Sequence, residues 1–281
     1  MLETCNKELI AFVEAMPAFP KSVQRVVQLT SDVNTSAKEL VQVIESDPVM
    51  TVKILKVINS AFYGLPQKIT SMQRAVVHIG FNTIKNLALS VAAIGALNPN
   101  NKAGFDTHDF LLHSLTTASI CRMLAERLKI PRSENSDFFV AGLLHDFGKI
   151  VFAEFDPENF KRALQKSAQQ DIALHLTEVE FMGLSHTQAG QLFTQAWGFD
   201  EALIDAIAYH HEPQRNSVLK DCVSTANQIS KKMQFGFSGN PIVEEFPGEI
   251  IERFELTLDD LINTLGNLSH VRLDALSFIH S

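Results

Sequence analysis

The chain has 281 residues, of which 46% are hydrophobic, so it can form one large or two ordinary domains with a sizeable core. Its 24 basic and 32 acidic residues give a formal net charge of −8, which argues against broad electrostatic adhesion to nucleic acid or acidic lipid. Three widely separated cysteines, no signal-peptide pattern and no apolar run of membrane-spanning length predict a cytoplasmic protein.

Apolar residues recur every three or four positions, and this spacing predicts an all-α fold. The first half carries clear helix starts: Ser36 with Glu39 has the spacing of a capping box, and Asp47 with Pro48 supplies an N-cap and an N1 proline. Ser71 is a third predicted N-cap. The predicted helices run over about 7–16 and 22–29, from Ser36, from Asp47 to about 60, from Ser71 to Gly80, and over about 82–97.

A polar stretch with Pro and Gly, residues 98–104, predicts a linker between two helical halves. Beyond it the spacing predicts helices over about 107–128, from about 137, and over about 158–170, 175–182, 184–197, 200–210 and 217–233. A Gly-rich break at 235–241 is followed by one helix from Thr257 to about Leu268. We therefore divide the chain into an N-terminal helical subdomain (1–98), a second helical subdomain (104–235) and a C-terminal helical extension (236–281).

The stretch Ala141-Gly-Leu-Leu-His-Asp-Phe-Gly-Lys149 ends an apolar run in an imidazole and a carboxylate. Because an unpaired buried charge is costly, such a pair usually meets a metal, a partner or a hydrogen-bond network. Imidazole and carboxylate are ligands of Mn²⁺, Fe²⁺ and Zn²⁺, and further histidines lie on other predicted helices. The residues considered together are His113, His145, Asp146, His186, His210 and His211, joined by Lys149 and Asn227. Lys149 has two open roles, holding a phosphate oxygen or pairing with a carboxylate.

The order of these residues resembles the HD phosphohydrolase superfamily, in which a His, a His-Asp pair and a distant Asp bind metal in an all-helical domain. The segments His145-Asp-Phe-Gly-Lys149, Ser185-His186 and His210-His211-Glu212 are similar to the HD-GYP branch, which hydrolyses cyclic di-GMP. Two departures matter. No Gly-Tyr-Pro follows Glu212, and Asn227 stands where the superfamily has its last metal-binding Asp. The amide oxygen of Asn227 can still ligate, but without a charge the divalent site is weaker.

The first half resembles the HDOD family, the HD-related output domain of bacterial signalling. The resemblance rests on Met16-Pro-Ala-Phe-Pro20, Ile44-Glu-Ser-Asp-Pro48, Leu55-Lys-Val-Ile-Asn-Ser-Ala-Phe-Tyr-Gly64 and Ala75-Val-Val-His-Ile-Gly80. It runs from about residue 10 to 230 and implies an N-terminal helical bundle packed on a degraded HD domain. The family implies a regulatory or output module, with no settled enzymatic reaction.

Two functions stay open, and the sequence favours the first. One is a signal-transduction module with a degraded but largely retained HD-type metal site, whose partners are signalling proteins or a small nucleotide-like ligand. The alternative is a metal-dependent phosphohydrolase acting on a phosphodiester or nucleotide, with Lys149 as its catalytic residue. A divalent iron, manganese or zinc ion is compatible with both. A DNA-binding helix-turn-helix over 71–97 is disfavoured because Lys85 is the only cation on its second helix. No membrane partner is expected.

Overall fold

The described part of the chain is all-helical, as the apolar spacing predicts, and none of its residues lies in a β-strand. The computed structural model describes residues 8–13, 25–26, 29, 36–60, 63, 65, 67–95, 97, 100–131, 134–212, 216–244 and 246–280. The helices predicted over 7–16 and 22–29 are helical wherever they fall within these ranges, and their other residues lie outside the described ones.

The first half contains α1 (Ala37–Glu45), α2 (Pro48–Ile58), α3 (Met72–Ile79) and α4 (Phe81–Gly95). Of these, α1, α2 and α3 begin at the caps that the sequence predicts. The Ser36 hydroxyl accepts from the Glu39 amide, and a Glu39 carboxylate oxygen accepts from the Ser36 amide at 2.9 Å, which confirms the capping box. Asp47 accepts from the amides of Val49 and Met50 and thereby caps α2.

Replacing Ser36 with alanine is expected to lower the free energy of unfolding by about 1 kcal/mol, because the Glu39 amide loses its acceptor. Urea unfolding followed by circular dichroism measures the change. Ser269 provides a control, since it is an exposed serine that is not the N-cap residue of its helix. Ser269→Ala is expected to change the same free energy by less than about 0.5 kcal/mol. Equal stability of the two variants would contradict a stabilising role for the box.

The loop after α2 is held by the side chain of Asn59. Its Nδ2 donates to the carbonyl oxygens of Leu55 at 2.8 Å and Ile69 at 2.7 Å, and its Oδ1 accepts from the Ile69 amide at 2.7 Å. The hydroxyl of Ser60 donates to the Val57 carbonyl at 2.6 Å. These bonds satisfy carbonyls that a helix end leaves without partners, and they fix the chain before α3.

The second half is a bundle in which α5 packs against α6 and α12, and α10 packs against α7 and α11. Its helices are α5 (Thr107–Arg127), α6 (Asn135–Leu144), α7 (Phe147–Phe155), α8 (Pro157–Gln170), α9 (Leu174–Met182), α10 (His186–Ala196), α11 (Glu201–Ala208) and α12 (Val218–Lys232). The helix predicted from about 137 begins at Asn135 and stops before the His-Asp pair. His145 and Asp146 form a turn between α6 and α7.

Polar contacts join the two halves, in addition to the packing of α4 against α6. The Lys85 ammonium lies 2.9 Å from a carboxylate oxygen of Asp200, and the hydroxyls of Thr83 and Ser136 lie 2.8 Å apart. Lys85 is buried. The cation on which a helix-turn-helix interpretation depends therefore pairs inside the molecule.

The C-terminal extension contains more helix than the sequence predicts. Its helices are α13 (Gly248–Phe254), α14 (Leu258–Leu265) and α15 (Ser269–Ile279). The single helix predicted from Thr257 to Leu268 is wrong at its end, because the chain adopts a φ of 78° at Gly266 and then starts α15. Helix α15 packs on α5, and the Lys56 ammonium donates to the Phe278 carbonyl at 2.7 Å. The extension thus contacts both halves. No helix of the described residues combines the length and the apolarity that crossing a bilayer requires.

Candidate metal centre

The carboxylate of Asp146 lies at the centre of a buried ring of imidazoles. Its Oδ2 is 3.3 Å from Nε2 of His145 and 3.8 Å from Nε2 of His113. Its Oδ1 is 3.1 Å from Nε2 of His186 and 3.7 Å from Nε2 of His210. The four histidines come from α5, the α6–α7 turn, the start of α10 and the turn after α11. The fold therefore brings together residues that are up to 97 positions apart.

Two glycines permit the close helix packing that closes this ring. A Cβ on Gly142 would lie 2.7 Å from the Cα of Ala118, so α6 can approach α5 only without a side chain there. A Cβ on Gly148 would overlap the backbone carbonyl of His186 and lie 2.8 Å from the amide of Gly190. Because these neighbours are backbone atoms, they cannot rotate away. Gly148 thus sets the distance between α7 and α10, and with it the position of His186.

Three of the imidazoles are oriented by a bond to their other ring nitrogen. Nδ1 of His145 donates to the Gly142 carbonyl at 2.8 Å, and Nδ1 of His210 donates to the Ile207 carbonyl at 2.8 Å. Nδ1 of His186 donates to the Glu178 carboxylate at 2.6 Å, and that carboxylate also accepts from the His186 amide. In the neutral imidazole, a bond at Nδ1 fixes the tautomer and leaves Nε2 with a lone pair on the side of Asp146. This is the support that metal-ligating histidines normally have.

The inward-facing atoms have no hydrogen-bond partners. Nε2 of all four histidines and Oδ1 of Asp146 are buried and have no hydrogen-bond partner. Buried polar groups are rarely left unpaired, and each costs about 1–3 kcal/mol. Nitrogen and carboxylate donors that share one buried space fit a divalent transition metal. The residues present therefore fit the metal that the sequence predicts.

The charges around Asp146 favour its ionised form. Burial opposes ionisation, but the charges of His145 and Lys149 outweigh it and hold the pKa of Asp146 well below its usual range. The ammonium of Lys149 lies 2.6 Å from Oδ2 of Asp146, so Lys149 takes the ion-pairing role of the two that the sequence leaves open. Burial lowers the pKa of His113 well below its usual value and that of His210 to about 3. Both imidazoles are therefore neutral at pH 7, the form that binds metals.

His211 lies beside this ring. One ring nitrogen of His211 lies within 4.8 Å of a ring nitrogen of His186 and of a ring nitrogen of His210. Its Nδ1 is 3.1 Å from the Glu244 carboxylate, and its ring stacks on that of His175 with centroids 4.3 Å apart. Asn227 is buried on α12 with an amide oxygen that has no hydrogen-bond partner. Whether these two residues, or Asp146 and the four histidines around it, bind a metal stays a prediction.

Comparison with known proteins gives the family. The model of the HDOD domain matches residues 16–213, which is well over half of the chain. The chain belongs to the HDOD family. The HDOD match covers the first half from residue 16 onward and extends through the His210–His211 pair, in agreement with the resemblance seen in the sequence. The protein is thus a module of the HD superfamily.

Two solved structures share the fold of this HDOD protein over nearly the whole chain. An HDOD domain protein of unknown function from Geobacter sulfurreducens is 22% identical, with a TM-score of 0.74 over 98% of this chain and 97% of that one. A candidate phosphohydrolase from Shewanella amazonensis is 22% identical, with a TM-score of 0.71 over 97% and 98%. An uncharacterized protein from Treponema pallidum (strain Nichols) is 21% identical over 90% of this chain and 48% of its own length. The chain spans about half or less of the curated relatives that it matches.

Residues that the sequence does not single out also contact the candidate metal centre. Glu178 on α9 orients His186, and Glu244 contacts His211. The hydroxyl of Ser238 lies 3.4 Å from the Lys149 ammonium. Nothing local marks Glu178 for this role, and the same is true of Glu244 and Ser238. Glu244 and Ser238 both come from the segment after residue 235, which the sequence assigns to the extension.

Proposed function

We propose that this HDOD protein is a bacterial signal-transduction module, in which the HD-type site holds a divalent metal for structure or sensing and does not turn over a substrate. The observation that carries the proposal is the burial of the centre. His145, Asp146 and His186 have no exposed surface, and His113 and His210 are at most 4% exposed. A phosphodiester must reach the metal to be hydrolysed. Because the ligand side chains are buried, the centre can retain a metal ion but offers a substrate no access to it.

Departures in sequence support the same proposal. The uncharged Asn227 replaces a carboxylate that, by resemblance, completes a working HD site.

A metal held by His113, His145, Asp146, His186 and His210 supplies Lewis-acid chemistry when bound. These residues join α5, the α6–α7 turn, α10 and the turn after α11. Binding at one centre therefore stabilises the packing of four segments, because a ligand that binds only the folded state adds to its stability.

Metal content of the purified protein tests the proposal. His210→Ala is expected to lower the affinity for iron, manganese or zinc by at least about tenfold, because one ligand is lost while the other imidazoles keep their supports. His108→Ala is the matched control, since His108 is half exposed on α5 and lies outside the ring. Plasma mass spectrometry measures the metal, and a melting curve with and without chelator measures its effect on stability.

The expected pattern has three parts. Wild type and His108→Ala retain metal through gel filtration, chelation lowers their melting temperature, and the melting temperature of His210→Ala does not respond to chelator. Wild-type protein that contains no metal after expression in supplemented medium, and takes up none of the three ions, would sink the metal proposal. A signalling role would then have to operate without it.

Two observations favour the alternative, a metal-dependent phosphohydrolase. Lys149 lies beside Asp146, where an ammonium suits a phosphate oxygen, and nearly the whole set of histidines is retained. Hydrolysis of bis(p-nitrophenyl) phosphate and of cyclic di-GMP with added Mn²⁺ tests this activity. We expect no turnover above that of His210→Ala. Turnover that disappears in His210→Ala and persists in His108→Ala would replace the non-catalytic proposal by the enzymatic one.

A further inference from the structure

A cleft of about 720 Å³ lies between the two halves, away from the metal centre. Apolar side chains of the first half form one wall, among them Leu65, Ile69 and Phe81. Polar residues of α5 and α6 form the opposite wall, among them Arg122 and Asn135. None of the candidate metal ligands lines it. Its volume is that of a pocket for a nucleotide-sized molecule.

Three residues that line the cleft each have a buried polar atom without a hydrogen-bond partner. These atoms are the hydroxyl oxygen of Tyr63, Nη1 of Arg122 and Oδ1 of Asn135. Tyr63 is 8% exposed and Asn135 is 5% exposed, so bulk water does not compensate them. The guanidinium of Arg122 uses Nε and Nη2 to bind Glu126, and it lies over the Tyr63 ring with its carbon 5.7 Å from the ring centroid. Two donors and one acceptor are thus left for a ligand.

Two helices also begin at the cleft. The first turn of α4 lines it with Phe81, Asn82 and Thr83, and the first turn of α6 lines it with Asn135 and Ser136. Neither start has a side-chain cap at the N-cap position: Gly80 precedes α4 and has no side chain, and Glu134 before α6 makes no capping bond. The first amides of a helix are free donors at the positive end of its dipole, which favours an anion.

We propose that this cleft binds a small anionic ligand, a phosphate or carboxylate carried on an aromatic or other apolar body, the class to which nucleotides belong. Arg122 and the two helix starts bind the anion, the Tyr63 hydroxyl and the Asn135 amide bind its polar edge, and the wall of Leu65, Ile69 and Phe81 covers the body. Glu126 is exposed at the rim and already pairs with Arg122.

The cleft is connected to the metal centre by the helices that line it. Helix α6 begins at the cleft with Asn135 and ends at Leu144, directly before His145. Helix α5 carries both Arg122 and His113. A ligand that orders the start of α6 therefore acts on the same rigid elements that hold the imidazoles. The role of this ligand as the input signal of the module rests on the proposed function. The binding of the ligand to the cleft does not depend on that function.

The probes are AMP, adenosine and inorganic phosphate, each titrated against the full chain by isothermal calorimetry up to about 1 mM, the weak end of small-ligand affinity. We expect AMP to bind saturably, and adenosine and phosphate to bind more weakly, because each lacks one half of the ligand. Arg122→Gln is expected to weaken AMP binding about tenfold or more, since a charge-assisted bond is lost. Arg127→Gln, an exposed cation on the same helix, is the matched control and retains full affinity.

Tyr63→Phe separates ligand binding from folding. Its hydroxyl has no partner in the protein, so the variant is expected to melt at or above the wild-type temperature and yet to bind AMP several-fold more weakly. AMP that fails to bind, that binds equally to wild type, Arg122→Gln and Tyr63→Phe, or that binds no better than adenosine overturns the proposal. These titrations are independent of metal content, so their failure is distinct from failure of the proposed function.

Discussion

Gly148→Ala is expected to lower the free energy of unfolding by more than about 3 kcal/mol and to remove bound metal. The added Cβ overlaps the carbonyl oxygen of His186, so α7 and α10 must move apart. His186 is the first residue of α10, and its Nε2 lies 3.1 Å from Asp146. The separation of α7 and α10 therefore causes both the loss of stability and the displacement of His186 from the metal centre.

Gly95→Ala is the matched control for this prediction. Gly95 is the last residue of α4, a Cβ there meets nothing within 4 Å, and its φ is not in the left-handed region. Since alanine also has the higher helix propensity, this variant is expected to be as stable as wild type or more stable by up to about 1 kcal/mol. Thermal unfolding and metal content of both variants check the pair. A Gly148→Ala protein that melts like Gly95→Ala and keeps its metal would show that the helices tolerate a wider spacing.

The helix starts could be predicted because each is encoded locally. Ser36 with Glu39, and Asp47 with Pro48, place donors and acceptors within a few residues of the amides that they cap. The His-Asp pair is equally local, since an apolar run that ends in two polar groups is visible in nine letters. The family resemblance then supplied the order of the distant histidines. The sequence therefore predicts the residues at the centre of the site, which are Asp146 and the four histidines around it.

The residues that support the ring could not be predicted. Glu178 and Glu244 reach their histidines only because α9 and the segment after α12 fold back over the centre, and no spacing in the sequence encodes that contact. Helix α15 was missed for a related reason. It has little sequence amphipathicity, its N-cap residue Leu268 makes no capping bond, and its position comes from packing on α5. Tertiary contacts decide both cases.

Asp146→Asn is expected to remove bound metal and to lower the free energy of unfolding by about 3–5 kcal/mol. The amide has the shape of the carboxylate but no charge, so the ammonium of Lys149, 2% exposed and 2.6 Å away, loses its counter-ion inside the protein. A divalent ion loses the anionic ligand at the centre of the ring at the same time. Urea unfolding and metal analysis measure the two effects separately.

A second substitution distinguishes these two losses. Lys149→Met keeps the volume of the side chain and removes the buried ammonium, so the Asp146→Asn/Lys149→Met double variant has no unpaired charge. We expect it to recover most of the stability lost by Asp146→Asn, with a coupling of about 1–3 kcal/mol between the two sites, and to remain without metal. The ion pair requires the charge of Lys149, whereas metal binding requires the carboxylate of Asp146. Recovery of stability without recovery of metal would therefore show that Asp146 serves both as counter-ion and as metal ligand. A double variant that regains stoichiometric metal would show instead that the carboxylate serves only as the counter-ion of Lys149.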